Sequence, residues 1–170
     1  MRAQDAPKFI VLVLFALLVP QAVAAALQSQ TGVVTRVIDG DTVWVKTSAS
    51  QPPLKVRLQG IDAPEICQPG GVQARDALQS QVLGQRVTLT SRAHDGYGRT
   101  IAMLHLQSQD MSRWMVAQGH AWANSHRHGQ GIYAAELRQA KSARRGVFSN
   151  TSAEDPRLFR KRHGSCWVKR

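Results

Sequence analysis

Apolar residues recur at Val33-Val34, Val37-Ile38, Val43 and Val45, with Asp39-Gly40 between them, which predicts a β-hairpin. Leu54, Val56 and Leu58 then alternate with Lys55, Arg57 and Gln59, the pattern of a half-buried strand. Pro64 and the cluster Gln68-Pro69-Gly70-Gly71 end that segment. Ala74, Ala77, Leu78 and Val82 return at helical spacing before Gly84, predicting a helix with a glycine stop. Val87 to Thr90 and Arg99 to Leu106 are expected as strands on either side of an Asp95-Gly96-Tyr97-Gly98 turn. Asp110 is a natural N-cap for a helix carrying Met111, Trp114 and Met115 on one face, with Gly119 as its end. Tyr133, Leu137 and Ala140 mark a last amphipathic helix closed at Gly146. Three short strands, a helix, two strands and then helices, without internal repeats, predict an α+β, mainly β fold built on an OB-type barrel.

The first residues follow a different pattern. Arg2 and Lys8 precede an unbroken apolar run from Phe9 to Val19, and Pro20 leads into the small residues Ala22-Val23-Ala24-Ala25-Ala26. Basic, apolar and small-residue regions in that order predict a signal peptide over residues 1–24, cleaved after Ala24. A core helix or an uncleaved anchor is the alternative, but eleven apolar residues fall short of the roughly 20 needed to span a bilayer. The expected location is therefore periplasmic or secreted, with no stable membrane insertion after cleavage.

Composition changes this picture in one respect. The 170 residues include 22 Lys and Arg against 11 Asp and Glu, a formal charge of +11. Losing Arg2, Lys8 and Asp5 with the leader leaves 20 bases and 10 acids, net +10 over 146 residues. The folded part thus carries the excess and should seek a polyanion, whether nucleic acid, acidic polysaccharide or anionic membrane. A hydrophobic content of 43% excludes simple disorder. Six of the fourteen residues from Arg157 to Arg170 are basic and none is acidic. Residues 157–170 accordingly read as a basic tail, either gripping nucleic-acid backbone or solvated, after a domain at 25–156. Cys67 and Cys166 fit no zinc or redox motif. Free or buried thiols are one reading. In an oxidising compartment a bridge from the tail to the loop after Glu65 is the other.

Four of the ten acids left after cleavage, Asp39, Asp41, Asp62 and Glu65, lie within 27 residues. Uncompensated, they would repel the phosphate that the rest of the chain attracts. A hard divalent cation resolves the conflict by bridging carboxylate to phosphate. Either cluster alone could be structural: Asp39-Gly40-Asp41-Thr42 as hairpin chemistry, Asp62-Ala63-Pro64-Glu65 as a loop. Arg57, on the polar face of its strand, and Arg99, after a glycine-flanked turn, weaken that reading, because guanidinium matches phosphate oxygens bidentately.

The runs Val37-Ile38-Asp39-Gly40-Asp41-Thr42, Arg57-Leu58-Gln59-Gly60-Ile61-Asp62-Ala63-Pro64-Glu65 and Asp95-Gly96-Tyr97-Gly98-Arg99 together resemble the staphylococcal nuclease (thermonuclease) family. The resemblance extends through Gln118-Gly119 to Arg144-Arg145-Gly146-Val147-Phe148, roughly residues 31–150. It implies a five-stranded OB-fold barrel with three α-helices and a Ca2+-dependent nuclease acting on DNA and RNA; separately, a monomer is expected. The 5′ oxygen–phosphorus bond would break, leaving 3′-phosphate ends. Asp41, Asp62 and the main-chain carbonyl of Ala63 match the metal ligands, and Glu65 the general base. Arg57 and Arg99 match the phosphate-binding arginines, Asp39 a supporting acid and Tyr97 a tyrosine beside the nucleotide. Either Arg→Ala change is then expected to cripple turnover with the fold intact.

Departures from the family pattern are local. Ala63 stands where several members have Thr, Gly96 where a lysine often sits, and Ser125 and Arg127 near positions that carry tyrosines in the best-known member. Trp44 and Trp122 are expected in the core, with base stacking as their alternative role. His126 and His128 read as solvated or phosphate-touching, with zinc chelation as the sharper alternative. Two rivals to the nuclease stand: a catalytically inactive OB-fold module that only holds nucleic acid, and a basic envelope-binding protein.

Overall fold

The long first strand owes its position to a small apolar stripe. In the computed structural model, which describes residues 28–124 and 131–166 apart from the side chains of Gln28 and Arg92, β1 (Gln28–Asp39) buries Val34 and Val37. It turns directly into β2 (Thr42–Lys46), whose Val43 and Val45 are fully buried. In β3 (Leu54–Leu58) Val56 and Leu58 point inward and Arg57, between them, points the other way. After β4 (Ile61–Asp62) and helix α1 (Gly71–Val82), strands β5 (Arg86–His94) and β6 (Thr100–Leu106) contribute Val87, Leu89, Ala102 and Leu104. Each fully buried Val or Leu is worth about 1.5–3 kcal/mol of apolar transfer, which sets the register of every strand with one wet face.

The strand order is β3-β2-β1-β5-β6, with antiparallel neighbours, and a parallel pairing of β3 with β6 closes the sheet. The result is a five-stranded closed mixed barrel, as the patterning predicts. Strand β7 (Gln109–Asp110) extends β6 as a short hairpin, and β4 pairs separately with β8 (Trp122–Ala123).

Helix α1 covers the barrel with Ala74, Leu78 and Val82, spaced four apart and fully buried. Helix α2 (Met111–Ala117) begins where the Asp110 carboxylate accepts from the amides of Ser112 and Arg113, and buries Met111 and Met115. The other oxygen of Asp110 accepts from the Tyr133 hydroxyl at 2.8 Å, fastening the start of α3 (Ala134–Ser142). Gly119 and Gly146, both at positive φ, pass so closely that a Cβ on either would meet the other's backbone. Trp122 is buried, edge-on to Phe148 at 4.9 Å, and half-buried Trp44 lies under the Arg36 guanidinium. Both therefore pack within the protein.

The described residues hold four α-helices rather than the expected three. Helix α4 (Pro156–His163) runs into the segment read from sequence as a basic tail. Its start is well made: Asp155 caps the Arg157 amide and Pro156 fills the first turn. Those start signals outweigh the charge run that follows them. No helix among the described residues is long and apolar enough to cross a membrane. Residues 1–24, expected as a signal peptide, and Ser125, His126, Arg127 and His128 lie outside the described part.

Candidate active site

Strand register assembles one wall of the site. Thr42 is paired with Arg57 across β2 and β3, and Arg57 with Ile101 across β3 and β6. Asp41 therefore sits at the head of β2 beside Arg57, and Arg99 arrives just before β6 on the other flank. The Leu58 amide donates to the Asp41 carbonyl at 2.8 Å, so the hairpin end cannot drift from β3. Asp62 comes from the β4–β8 pairing, where the Asn124 amide donates to the Gly60 carbonyl at 2.9 Å.

These elements surround a cavity of about 390 Å³ whose lining includes all eight proposed site residues: Asp39, Asp41, Arg57, Asp62, Ala63, Glu65, Tyr97 and Arg99. Arg57 lies at its centre. One guanidinium nitrogen pairs with Asp41 Oδ2, and Nη2 donates to Asp62 Oδ1 at 2.9 Å. Both carboxylates are buried, at 5% and 4% exposure. Burial pulls the Arg57 guanidinium below its ordinary pKa, against the raising effect of Asp62 and Asp39, yet an arginine stays charged there.

The remaining acids are individually held. Asp41 accepts from the Thr42 hydroxyl at 3.0 Å and from the Ala63 amide at 2.7 Å. Asp39 Oδ1 accepts from the Asp41 amide at 3.0 Å, and burial pushes its carboxyl above the usual carboxylate range despite Arg57 nearby. Asp95 orients Arg99: Oδ2 accepts from Nε at 2.6 Å, and Oδ1 from the amides of Tyr97 and Arg99. Desolvation is the largest single influence on Asp95 and raises its pKa, but these hydrogen bonds and the Arg99 charge together outweigh it and hold the carboxyl below the ordinary value. Tyr97 is 85% exposed, its ring against the Arg99 guanidinium, so it offers a face to whatever enters.

Two residues have a role that sequence reading did not assign. Ala63, singled out for its carbonyl, also uses its N–H to fix Asp41. Arg160, read only as part of a basic run, reaches into the cavity from α4. Its Nη2 donates to Asp62 Oδ2 at 2.7 Å and its Nη1 to Asp62 Oδ1 at 3.1 Å and Glu65 Oε1 at 2.9 Å. These partners raise the pKa of Arg160 further above its already high ordinary value, against a desolvation that lowers it. The available signal was Cys166, which is joined to Cys67, two residues past Glu65, in a disulfide with Cα atoms 5.7 Å apart.

The cavity lining carries four acids and four bases, the latter being Lys55, Arg57, Arg99 and Arg160. By formal charge it is neutral, so it would not attract phosphate strongly by itself. The donor set fits a hard divalent cation: two buried carboxylates already converge on one cationic group, and carbonyl and water oxygens would complete the shell. Among the described residues no group of three or more His, Cys, Asp or Glu side chains is placed to hold a metal ion, so an ion here would need oxygens beyond the Asp41 and Asp62 carboxylates.

Comparison with known proteins identifies the family. Residues 55–150 match the family described as Staphylococcal nuclease homologue. An "Uncharacterized endonuclease" of Haemophilus influenzae is 31% identical over 138 residues, covering 81% of this chain and 77% of its own. A "Micrococcal nuclease" of Shigella flexneri is 33% identical over 142 residues, 76% of this chain and 80% of its own. "Protein ParB" of Escherichia coli is 35% identical over 142 residues, 76% and 78% of the two chains. A barrel of this topology, three ordered motifs around one cavity, and relatives of this extent place the chain in the staphylococcal nuclease family of nucleic-acid hydrolases.

Proposed function

We propose that this chain is an exported, Ca2+-dependent phosphodiesterase that cuts DNA and RNA as a monomer and leaves 3′-phosphate ends. The observation that carries the proposal is the convergence of buried Asp41 and Asp62 on Arg57, with Arg99 on the adjoining strand end and Glu65 across the cavity. Asp41 and Asp62 are neutralised by Arg57 and Arg160 in this state, and the same oxygens are of the kind that a hard divalent cation takes. Asp41, Asp62 and the Ala63 carbonyl would hold the ion, which when bound supplies positive charge to the phosphate and acidifies its water.

The chain's own residues supply the rest. Glu65 orients the attacking water and accepts its proton. An O–P bond forms as the bond to the 5′ oxygen breaks, and that oxygen leaves as a hydroxyl by taking a proton from solvent water, while the proton taken up by Glu65 returns to solvent. Arg57 and Arg99 donate to the equatorial oxygens as charge builds on them. Arg99 is pre-aimed by Asp95. Were an ion held by Asp41 and Asp62, Arg57 would be released from those carboxylates and could donate to phosphate. Tyr97 lies where a sugar or base can rest on it.

Export is supported by the leader pattern and by the Cys67–Cys166 disulfide, a bond that persists in oxidising compartments. The test is digestion of plasmid DNA and of RNA with Ca2+, with Mg2+ and with chelator, followed by end-group analysis. Ca2+-dependent cleavage with 3′-phosphate ends is expected. Retarded but uncut nucleic acid would instead identify a silent binding module, and salt-sensitive attachment to membranes without a metal effect an envelope protein.

A further inference from the structure

Helix α4 is unusual in how much is spent on bringing one side chain to the cavity. Asp155 caps it, the Gln68 amide group donates to the Glu154 carbonyl at 2.7 Å just before it, and the disulfide anchors the chain just beyond it. Phe159 and His163 face a second cavity on the other side, and Arg162 pairs with Glu154. Arg160 alone is turned into the site, where its charged nitrogens hold both oxygens of Asp62 and one of Glu65. Those are the two carboxylates that the proposed mechanism assigns to the cation and to the attacking water.

We propose that Arg160 is a third substrate-handling arginine, delivered by the disulfide-anchored helix α4, that neutralises Asp62 and Glu65 and is passed to a phosphate oxygen when cation and nucleic acid arrive. This rests on the nuclease reading above. The logic is competition at short range. A divalent ion on Asp62 would compete with the guanidinium for the carboxylate lone pairs and repel it by like charge, so a bound cation weakens the hold of Asp62 on Arg160, and the disulfide keeps the loosened group at the cavity. Its nearest use is then the phosphodiester, to which it can present a bidentate fork. The carboxylates are kept paired until they are needed, and the released charge is not lost to solvent.

A purely structural pin would also make these ion pairs, so the test reads quantities that a pin would leave alone. The full chain is compared with Arg160→Ala, Arg160→Lys and the double variant Cys67→Ser with Cys166→Ser. Ca2+ affinity is measured by calorimetry without nucleic acid, and KM and kcat on a single-stranded DNA oligonucleotide across salt concentrations. Removing the competitor should tighten Ca2+ binding about threefold to tenfold, since a group that occupies the site weakens its ligand by mass action. Losing one phosphate contact should raise KM about tenfold with kcat changed less than about threefold. It should also reduce the slope of log KM against log salt by about 0.7. Lys at 160 should restore part of the KM, and the cysteine double variant should shift both quantities in the direction of Arg160→Ala.

If either Ca2+ affinity or KM stays within about twofold of wild type in Arg160→Ala while wild type remains a Ca2+-dependent nuclease, the proposal is overturned and Arg160 is a structural pin. A wild-type chain that neither binds Ca2+ nor cleaves overturns the nuclease reading itself. The two failures are thereby told apart.

Discussion

The two walls of the cavity are built by different physics. On the barrel wall, Asp41, Arg57 and Arg99 are placed by strand register: Thr42 opposite Arg57, Arg57 opposite Ile101, the Leu58 amide on the Asp41 carbonyl. Their positions follow from burying Val43, Val56 and Leu58 on the opposite face. On the helix wall, Arg160 is placed by a cap, a disulfide and ion pairs, on a helix whose only buried residue is Pro156. Register errors on the first wall cost a core. Detachment of the second costs little apolar contact. The barrel wall is suited to groups that must be fixed in the transition state, the helix wall to a group that must move.

The largest expected effect is on the barrel wall. Arg57→Ala should reduce turnover by about 10²–10³, the usual loss for a preorganised charge donor, measured as kcat on DNA. It should also lower stability by about 3 kcal/mol in denaturant unfolding without metal, because buried Asp41 loses its ion-pair partner and Asp62 one of its two. The expectation of an unaffected fold thus needs amending for this residue. Added Ca2+ should recover much of the loss. An unchanged stability would mean that Arg160 alone neutralises the acids, and that the helix wall is the more structural of the two.

The second effect belongs to the helix wall. Replacing both cysteines by serine opens a link between residues 99 apart and should cost about 2–4 kcal/mol in denaturant unfolding. Hydrogen exchange should rise at residues 156–163 while β1, β5 and β6 stay protected. Equal loss of protection in the barrel would show that the two walls form one cooperative unit.

How much of this was legible in the sequence follows the same division. The barrel wall was legible because strand alternation and short motifs are local: Arg57 reads as outward between Val56 and Leu58 from five residues alone. The helix wall was not, because Arg160 meets Glu65 across 95 residues of chain. A basic run gives no direction for any one of its charges. The signals that could have placed it, Asp155-Pro156 as a helix start and Cys166 as a partner for Cys67, were present but carry no register. Ala63 shows a third case. Its carbonyl is matched by resemblance, while the hydrogen bond its N–H donates to Asp41 depends on how two turns meet and is invisible in one dimension.

Gly40 is a related instance and gives the third prediction. As part of Asp39-Gly40 it reads as a hairpin glycine, but its φ is not left-handed. It is needed for space: a Cβ there would sit 2.7 Å from Ala63 Cβ and 2.8 Å from Ala74 Cβ. Gly40→Ala should therefore cost about 1–3 kcal/mol by overpacking, seen in the midpoint of denaturant unfolding. Because Ala63 must shift, its amide should loosen from Asp41 and Ca2+ affinity should fall. A destabilised variant with unchanged Ca2+ affinity would show that the barrel wall tolerates movement the register was thought to forbid.

The smallest effect probes the floor beneath the helix wall. His120 lines the second cavity with Phe159, His163 and Glu154, its ring 5.9 Å from Trp114, and burial lowers its pKa below the ordinary histidine value. Its Nδ1 has no hydrogen-bond partner among the described residues, so none of them rewards protonation there. The unfolded chain then binds the proton more readily than the folded one. The contribution of His120 to stability is full above the unfolded value near 6.5 and is lost as pH falls through the lower folded value. Stability should decline between pH 7 and 5, and His120→Gln should flatten that decline. Opening the disulfide should flatten it too, because a floor exposed by a departing α4 is solvated and its histidine titrates as in the unfolded chain. A slope that survives removal of both cysteines would show that α4 stays seated without its covalent anchor, and that the ion pairs of Arg160 alone suffice to hold the movable wall.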